Sequence, residues 1–181
     1  FRLAGSTVTS QNVSLAPGAS SQVSFDIDTT GVAPGTYTHG VYTLDDNQTA
    51  QITIQQPATF EVSNLSAPSN ASVGDTVTVT ADVQNVGDVA GQKDVEFRFN
   101  GSTVATQSEQ LIAGGSTQVT FTVDTSGVAP GTYTHGVYTP DDNQTATIDI
   151  VGQADFQVSN LSAPGSAVQG DMVNVTADIT N

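Results

Sequence analysis

Eight asparagines, Asn12, Asn47, Asn64, Asn70, Asn100, Asn143, Asn160 and Asn174, each stand two residues before a serine or threonine. That spacing is the acceptor pattern for N-linked glycan, a bulky, solubilising modification of exposed chain in secreted proteins. Nine asparagines have a readable context and eight qualify, although Ser and Thr supply only 43 of 181 residues. Internal duplication inflates the count: counted once per repeat position, six of seven still qualify, against about two expected by chance. All eight are therefore glycosylation candidates, and chance in a Thr-rich strand protein is the competing explanation.

Other groups with chemical capacity are few. Asp45-Asp46-Asn47 and Asp141-Asp142-Asn143 each gather oxygen side chains in one turn. Calcium takes six to eight oxygens from well-separated chain positions, so Asp45, Asp46, Asp141 and Asp142 are the calcium candidates, and solvated turn residues are the default. No other cofactor is implied. His39 and His135 have no cysteine, second histidine or serine nucleophile near them in sequence, and read as packing residues. Tyr37 and Tyr133 read as core or corner residues. Lys93 and Arg98, scarce cations among carboxylates, are expected to pair across a junction between units. No catalytic carboxylate pair, P-loop, dinucleotide fingerprint or metal-hydrolase motif is present, so no catalytic residue is assigned and an enzyme is not expected.

The charge balance narrows the partners. Three Lys and Arg face 18 Asp and Glu, for a formal net charge of -15. Nucleic acid is excluded as a partner, because phosphate contacts need clustered cations, and docking on anionic lipid is disfavoured for the same reason. The acidity is dispersed and mostly aspartate, as on proteins from extreme halophiles; in molar salt the Debye length is only ~3 Å and self-repulsion is screened. Cysteine is absent, which removes disulfide and thiol chemistry. No apolar run approaches the length of a membrane span, so no membrane insertion is expected within this segment. Phe1 is expected to be a processed end or the edge of a segment.

The elements that must carry these groups are strands arranged in a repeat. Gly31 to Thr43 returns unchanged as Gly127 to Thr139, and Val62 to Pro68 as Val158 to Pro164, both at an offset of 96 residues. Only Val86 to Glu96 occurs once. Period-two alternation is strong: Val77, Val79, Ala81 and Val83 share one face, as do Val119, Phe121 and Val123, and in the first copy Val23, Phe25 and Ile27. For the complete repeat, seven strands are expected, at about 58–65, 75–84, 93–100, 102–107, 117–124, 132–139 and 144–150. Asn100-Gly101 predicts a tight hairpin. The expected fold is all-β: tandem seven-stranded immunoglobulin-like sandwiches with a period of 96 residues, incomplete at both chain ends. Residues 1–56 carry the later strands of one repeat, 57–153 a complete repeat, and 154–181 the first two strands of another. Short junctions at Gln55-Gln56-Pro57-Ala58 and Val151-Gly152-Gln153-Ala154 predict limited swing between units.

The runs Phe60-Glu61-Val62, Gly74-Asp75-Thr76-Val77, Phe97-Arg98-Phe99-Asn100-Gly101, Gly115 to Phe121 and Ala129-Pro130-Gly131-Thr132-Tyr133 resemble the CARDB family. Its members are cell-adhesion-related, immunoglobulin-like β-sandwiches, often in tandem on archaeal and bacterial surface proteins, and the Asp-rich surface is similar to the haloarchaeal ones. The resemblance implies this fold and an extracellular or cell-surface setting, and it carries no catalytic residue.

The fragment 154–181 brings Phe156, Val158, Leu161, Val173, Val175 and Ile179 for burial. Six such side chains represent about 9–18 kcal/mol of gross burial, before ordering entropy. They are the candidate completing strands for the open half at residues 1–56, and the expected partners are copies of the chain itself, head to tail. The leading expectation is a structural subunit of an extracellular filament or stalk, completed by strand donation or by a longer covalent array. The alternative is an adhesive or glycan-binding module whose partners are glycans or other surface components. An accessory domain of a secreted hydrolase is a third class.

Overall fold

The computed structural model describes residues 1–181 and contains fourteen β-strands and no helix. In chain order they are β1 (Arg2–Leu3), β2 (Ser6–Thr7), β3 (Gly35–Tyr42), β4 (Asn47–Ile54), β5 (Phe60–Ser66), β6 (Asn70–Ser72) and β7 (Thr76–Asn85). There follow β8 (Gly91–Phe99), β9 (Ser102–Leu111), β10 (Ser116–Asp124), β11 (Gly131–Tyr138), β12 (Asn143–Val151), β13 (Gln157–Ser162) and β14 (Thr176–Thr180).

Strands β5 to β12 build a two-sheet sandwich. One sheet has the order β10-β7-β5 and the other β6-β12-β11-β8-β9. The alternation seen in sequence sets the facing surfaces: Val77, Val79, Ala81 and Val83 on β7 are buried, as are Val119, Phe121 and Val123 on β10. Opposite them lie Val95, Phe97, Val137, Ile148 and Ile150, and Phe97 stacks on Phe121 at 5.6 Å between ring centroids. All fifteen buried hydrophobic residues of the chain fall between Phe60 and Ile150.

Turn chemistry follows the sequence closely. Asn100 and Gly101 join β8 to β9 with φ of 49° and 80°, the two positive values that a tight two-residue hairpin requires. The Tyr133 hydroxyl donates to the Ala129 carbonyl at 2.9 Å, and Tyr37 to Ala33 at 2.8 Å. Both tyrosines thus tie a strand start to the turn four residues upstream, as a corner residue does. Within β11, position 136 is held to glycine because a Cβ there would overlap the Gln144 carbonyl of the neighbouring strand.

Three expectations need correction. The short strand β6 was not foreseen; it pairs parallel with β12 from Asn70 to Ser72 and is too brief to show alternation. Strand β9 runs to Leu111 rather than 107, because it follows β8 along its whole length from Gly91. The third concerns Val23, Phe25 and Ile27, whose segment forms no strand despite its alternating pattern. Its counterpart β10 is held by β7 along nine paired residues, and no such neighbour lies beside residues 20–28. The same dependence shapes the last fragment. β14 begins only at Thr176, whereas β7, flanked on both sides, begins at Thr76. Extended pattern alone does not make a strand; a ladder partner does.

The junctions are anchored to the sandwich. Gln56 N–H donates to Asp88 at 2.8 Å and Asp88 N–H to the Gln56 carbonyl at 3.0 Å. After β12, Gln153 donates its side-chain amide to the Val73 carbonyl at 2.9 Å.

Candidate functional site

The acidic turn between β11 and β12 is a clamp on the edge of the opposite sheet. Asp141 Oδ2 accepts the Phe60 N–H at 2.8 Å, Asp142 Oδ2 the Val62 N–H at 2.9 Å, and Gln144 Oε1 the Leu65 N–H at 3.0 Å. Thr139 Oγ1 donates to the Phe60 carbonyl at 2.8 Å. Side chains thereby satisfy the outward backbone groups of edge strand β5, whose other edge is paired to β7. Lys93 completes the clamp with a 2.5 Å ion pair to Asp141, and its ammonium lies 5.8 Å from the centre of the Phe60 ring. Burial raises the affinity of Asp141 for its proton, but the bonds from Lys93 and the Phe60 N–H outweigh it and hold the carboxyl below its ordinary range.

Lys93 and Arg98 therefore pair within the sandwich and not across a junction. Arg98 bonds Glu96 at 2.7 Å and lies over the Tyr138 ring at 4.5 Å. The calcium candidates Asp141 and Asp142 spend an oxygen each on backbone donors, and nowhere do three His, Cys, Asp or Glu side chains converge as a metal-holding group.

The same turn in the first copy grips nothing. Thr43 organises it locally, accepting from the Asp46 N–H at 2.9 Å and donating to the Asp46 carbonyl at 3.0 Å, and Asp46 Oδ1 accepts from the Asn47 N–H at 2.7 Å. Asp45 and Gln48, the counterparts of Asp141 and Gln144, accept no hydrogen bond from any strand. Toward the end of the β3–β4 hairpin away from this turn, Phe1, Leu3, Ile27, His39, Ile52 and Ile54 line a cleft of about 230 Å³ that is almost wholly apolar. Of their counterparts, Phe97, Val123, His135, Ile148 and Ile150 are buried in the sandwich core and Phe99 is partly buried against it.

The covering strands have copies as well, and these are bare. Phe156 is 69% exposed where Phe60 is 0%, and Val158 68% where Val62 is 4%. Leu161, Val173, Val175 and Ile179 are also exposed. β13 pairs with β14 through the same bulge as β5 with β7. At the bulge, Asn64 and Asn160 both adopt φ of 52° and donate to Asp82 and Asp178 at 2.9 and 2.7 Å. Asparagine tolerates that left-handed backbone better than most residues, so these two sequon positions also have a structural reason to be asparagine. All eight sequon asparagines are exposed. The structure does not join residues 1–54 to residues 154–181: their strands lie in separate sheets.

His135 is buried on the face of Tyr133 and Val137, 6.3 Å from Phe97 between ring centres, with neither ring nitrogen hydrogen-bonded. Desolvation lowers its pKa from the usual 6.5. Above that value the imidazole is neutral in both folded and unfolded chains, and it adds no pH dependence. Below it the unfolded chain takes up a proton that the folded chain refuses, so stability falls with pH. Asp141, with a lowered pKa, contributes stability above the carboxylate range and loses it only as pH falls through that lower range. Urea melts should therefore show a first decline beginning near pH 6.5 and a second below about pH 4. His135→Leu should remove the first and keep the second.

The profile of the CARDB family matches residues 57–148, half of the chain. The chain belongs to the CARDB family. The match covers the sandwich whose clamp is closed. Among solved structures, the CARDB domain of a Pyrococcus furiosus protein, in complex with di-metal ions, is 15% identical with a TM-score of 0.46, over 55% of this chain and 96% of that one. A β-glucosidase from Listeria innocua is 18% identical with a TM-score of 0.47, over 57% of this chain and 17% of the enzyme. One from Erythrobacter marinus is 20% identical, TM-score 0.47, over 61% and 18%. The likeness to the glucosidases is thus confined to one part of a larger enzyme. No curated protein matches the chain.

Proposed function

We propose that this chain is a non-enzymatic structural subunit of an extracellular filament, pilus-like fibre or surface stalk, with CARDB sandwiches set end to end. The observation that carries the reading is a pair of uncovered faces that correspond to the two sides of one covered core. Phe156, Val158, Val173, Val175 and Ile179 are the exposed copies of residues that seal the sandwich at Phe60, Val62, Val77, Val79 and Val83. A neighbouring subunit donating residues 154–181, or a longer continuous array, completes the half at 1–56. The anchored junctions at Gln56 and Gln153 suit a stiff rod. The dispersed negative charge and the exposed sequons fit a glycosylated surface of a halophilic archaeon.

The alternative, an adhesive or glycan-binding module, has less support. The broad polar depression over Ser63, Asn64, Asp82, Gln84 and Ser116 to Gln118 offers no aromatic ring for a sugar to stack on. Binding of the chain to a glycan array would favour that alternative. Electron microscopy of the full chain and of a chain lacking 154–181, beside the intact mass of native material, tests the structural reading. Rods are expected only with the segment present, and rods of equal length without it reject strand donation.

A further inference from the structure

The open copy of the acidic turn has the residues of a closed clamp and none of its cargo. In the sandwich, Thr139, Asp141, Asp142 and Gln144 hold the backbone of Phe60 to Leu65 through four side-chain bonds of 2.8 to 3.0 Å. Thr43, Asp45, Asp46 and Gln48 are the same residue types at the same spacing, already arranged by the same internal turn bonds. The segment that fits such a clamp is also in the chain. Phe156 to Leu161 repeats the Phe60 to Leu65 pattern, including the positive-φ asparagine that shapes the bulge.

We propose that Thr43, Asp45, Asp46 and Gln48 form a latch that receives residues 156–161 of a second copy of this chain and fixes the register of donation. This rests on the strand-donation reading above and adds its selectivity. In the latched register the Phe156 N–H meets Asp45, the Val158 N–H meets Asp46, and the Leu161 N–H meets Gln48, while the Thr43 hydroxyl donates to the Phe156 carbonyl. Phe156 and Val158 then take the places beside the turn that Phe60 and Val62 hold in the closed copy. Apolar burial alone accepts a strand slipped by two residues, because alternation repeats at that period. The latch does not, because the bulge between Ser159 and Ser162 spaces its three donors two and then three residues apart, and a slip takes that spacing off the acceptors. The latch also gives direction: residues 43–48 present acceptors and residues 156–161 present donors, so contacts run head to tail, the arrangement that extends into a filament when the rotation between copies does not close a ring.

The absence of cysteine makes the register measurable by disulfide capture. In the sandwich Thr120 stands directly opposite Thr80 on paired strands. Their copies are Ser24 and Thr176, which the latched register sets face to face between chains. A full-length Ser24→Cys/Thr176→Cys variant, oxidised in molar salt, is expected to give a ladder of covalent multimers, whereas Ser24→Cys/Asn160→Cys is expected to give none. Adding Asp45→Ala, Asp46→Ala and Gln48→Ala to the first pair should slow ladder formation at least tenfold. Gln48→Ala alone should slow it several-fold, and it breaks no bond of the uncomplexed chain. A ladder formed at undiminished rate by both latch variants overturns the latch while leaving strand donation intact. No ladder from the Ser24/Thr176 pair with its latch whole overturns strand donation itself. A disulfide closed within one chain, seen as an oxidised monomer by intact mass, overturns the second copy as occupant.

Discussion

Phe60→Ala is expected to cost the central sandwich about 3–5 kcal/mol, and Phe156→Ala, the same residue 96 positions later, to cost the unassembled chain almost nothing. Phe60 is 0% exposed, one of the largest side chains in the core, and under the ammonium of Lys93. Truncating it removes the transfer free energy of the ring and leaves a void that surrounding strands, held by full ladders and the clamp, are poorly placed to fill. For a unit of this size that is a fall in Tm of more than about 10 °C by calorimetry. Phe156 is 69% exposed and has no core to leave. Under the strand-donation proposal its cost is expected only in association, where the ring would become the copy of Phe60. Losing about 3–5 kcal/mol per junction weakens assembly by about two to three and a half powers of ten. If Phe156→Ala lowers the melting of the dilute monomer as much as Phe60→Ala does, the last segment is already packed within its own chain.

That contrast marks what was legible in the sequence. The two sheets followed from alternation because β7, β10 and β12 each bury one face against a single core, and period two is the direct imprint of that arrangement. The hairpin at Asn100-Gly101 and the tyrosine corners at Tyr37 and Tyr133 were readable for a similar reason, being local geometry with few residue solutions. The clamp was not. Its bonds join Phe60, Val62 and Leu65 to residues 79 to 81 positions away, side chain to backbone, and no periodicity records such a contact. Asp141 and Asp142 therefore read as solvated turn residues or calcium candidates when they are acceptors for a strand edge. Residues 20–28 show the converse failure. Their alternation is as clear as that of β10, yet a pattern encodes the face a strand would bury and not the presence of the neighbour that makes it a strand.

Asn85→Ala is expected to destabilise the central sandwich by about 3–5 kcal/mol, although the residue carries no charge and little apolar surface. Asn85 is the one asparagine with a readable context outside a sequon, and it is fully buried at the end of β7. Its Oδ1 accepts the N–H groups of Thr59 and Gly87 at 3.1 and 3.0 Å. Its Nδ2 faces the carbonyls of Val89, Leu111 and Ile112 at 2.8, 3.3 and 3.2 Å. One amide thus joins the junction before β5, the loop before β8 and the end of β9, and alanine strands donors and acceptors on all three. A buried group left without a partner costs about 1–3 kcal/mol, which sets the size of the effect. Asn85→Asp separates this hydrogen-bond account from a simple cavity. It preserves shape and the acceptor for Thr59 and Gly87, but turns a second oxygen toward three carbonyls. The carboxylate is penalised there, so its folded pKa rises above the unfolded value of about 3.9. Above that folded pKa the variant should be as unstable as Asn85→Ala or more so. As pH falls through it, protonation supplies a donor to the carbonyls, and the aspartate variant should recover stability relative to the alanine one. Parallel pH profiles for the two variants would show that the amide acts by volume and not by the bonds it makes.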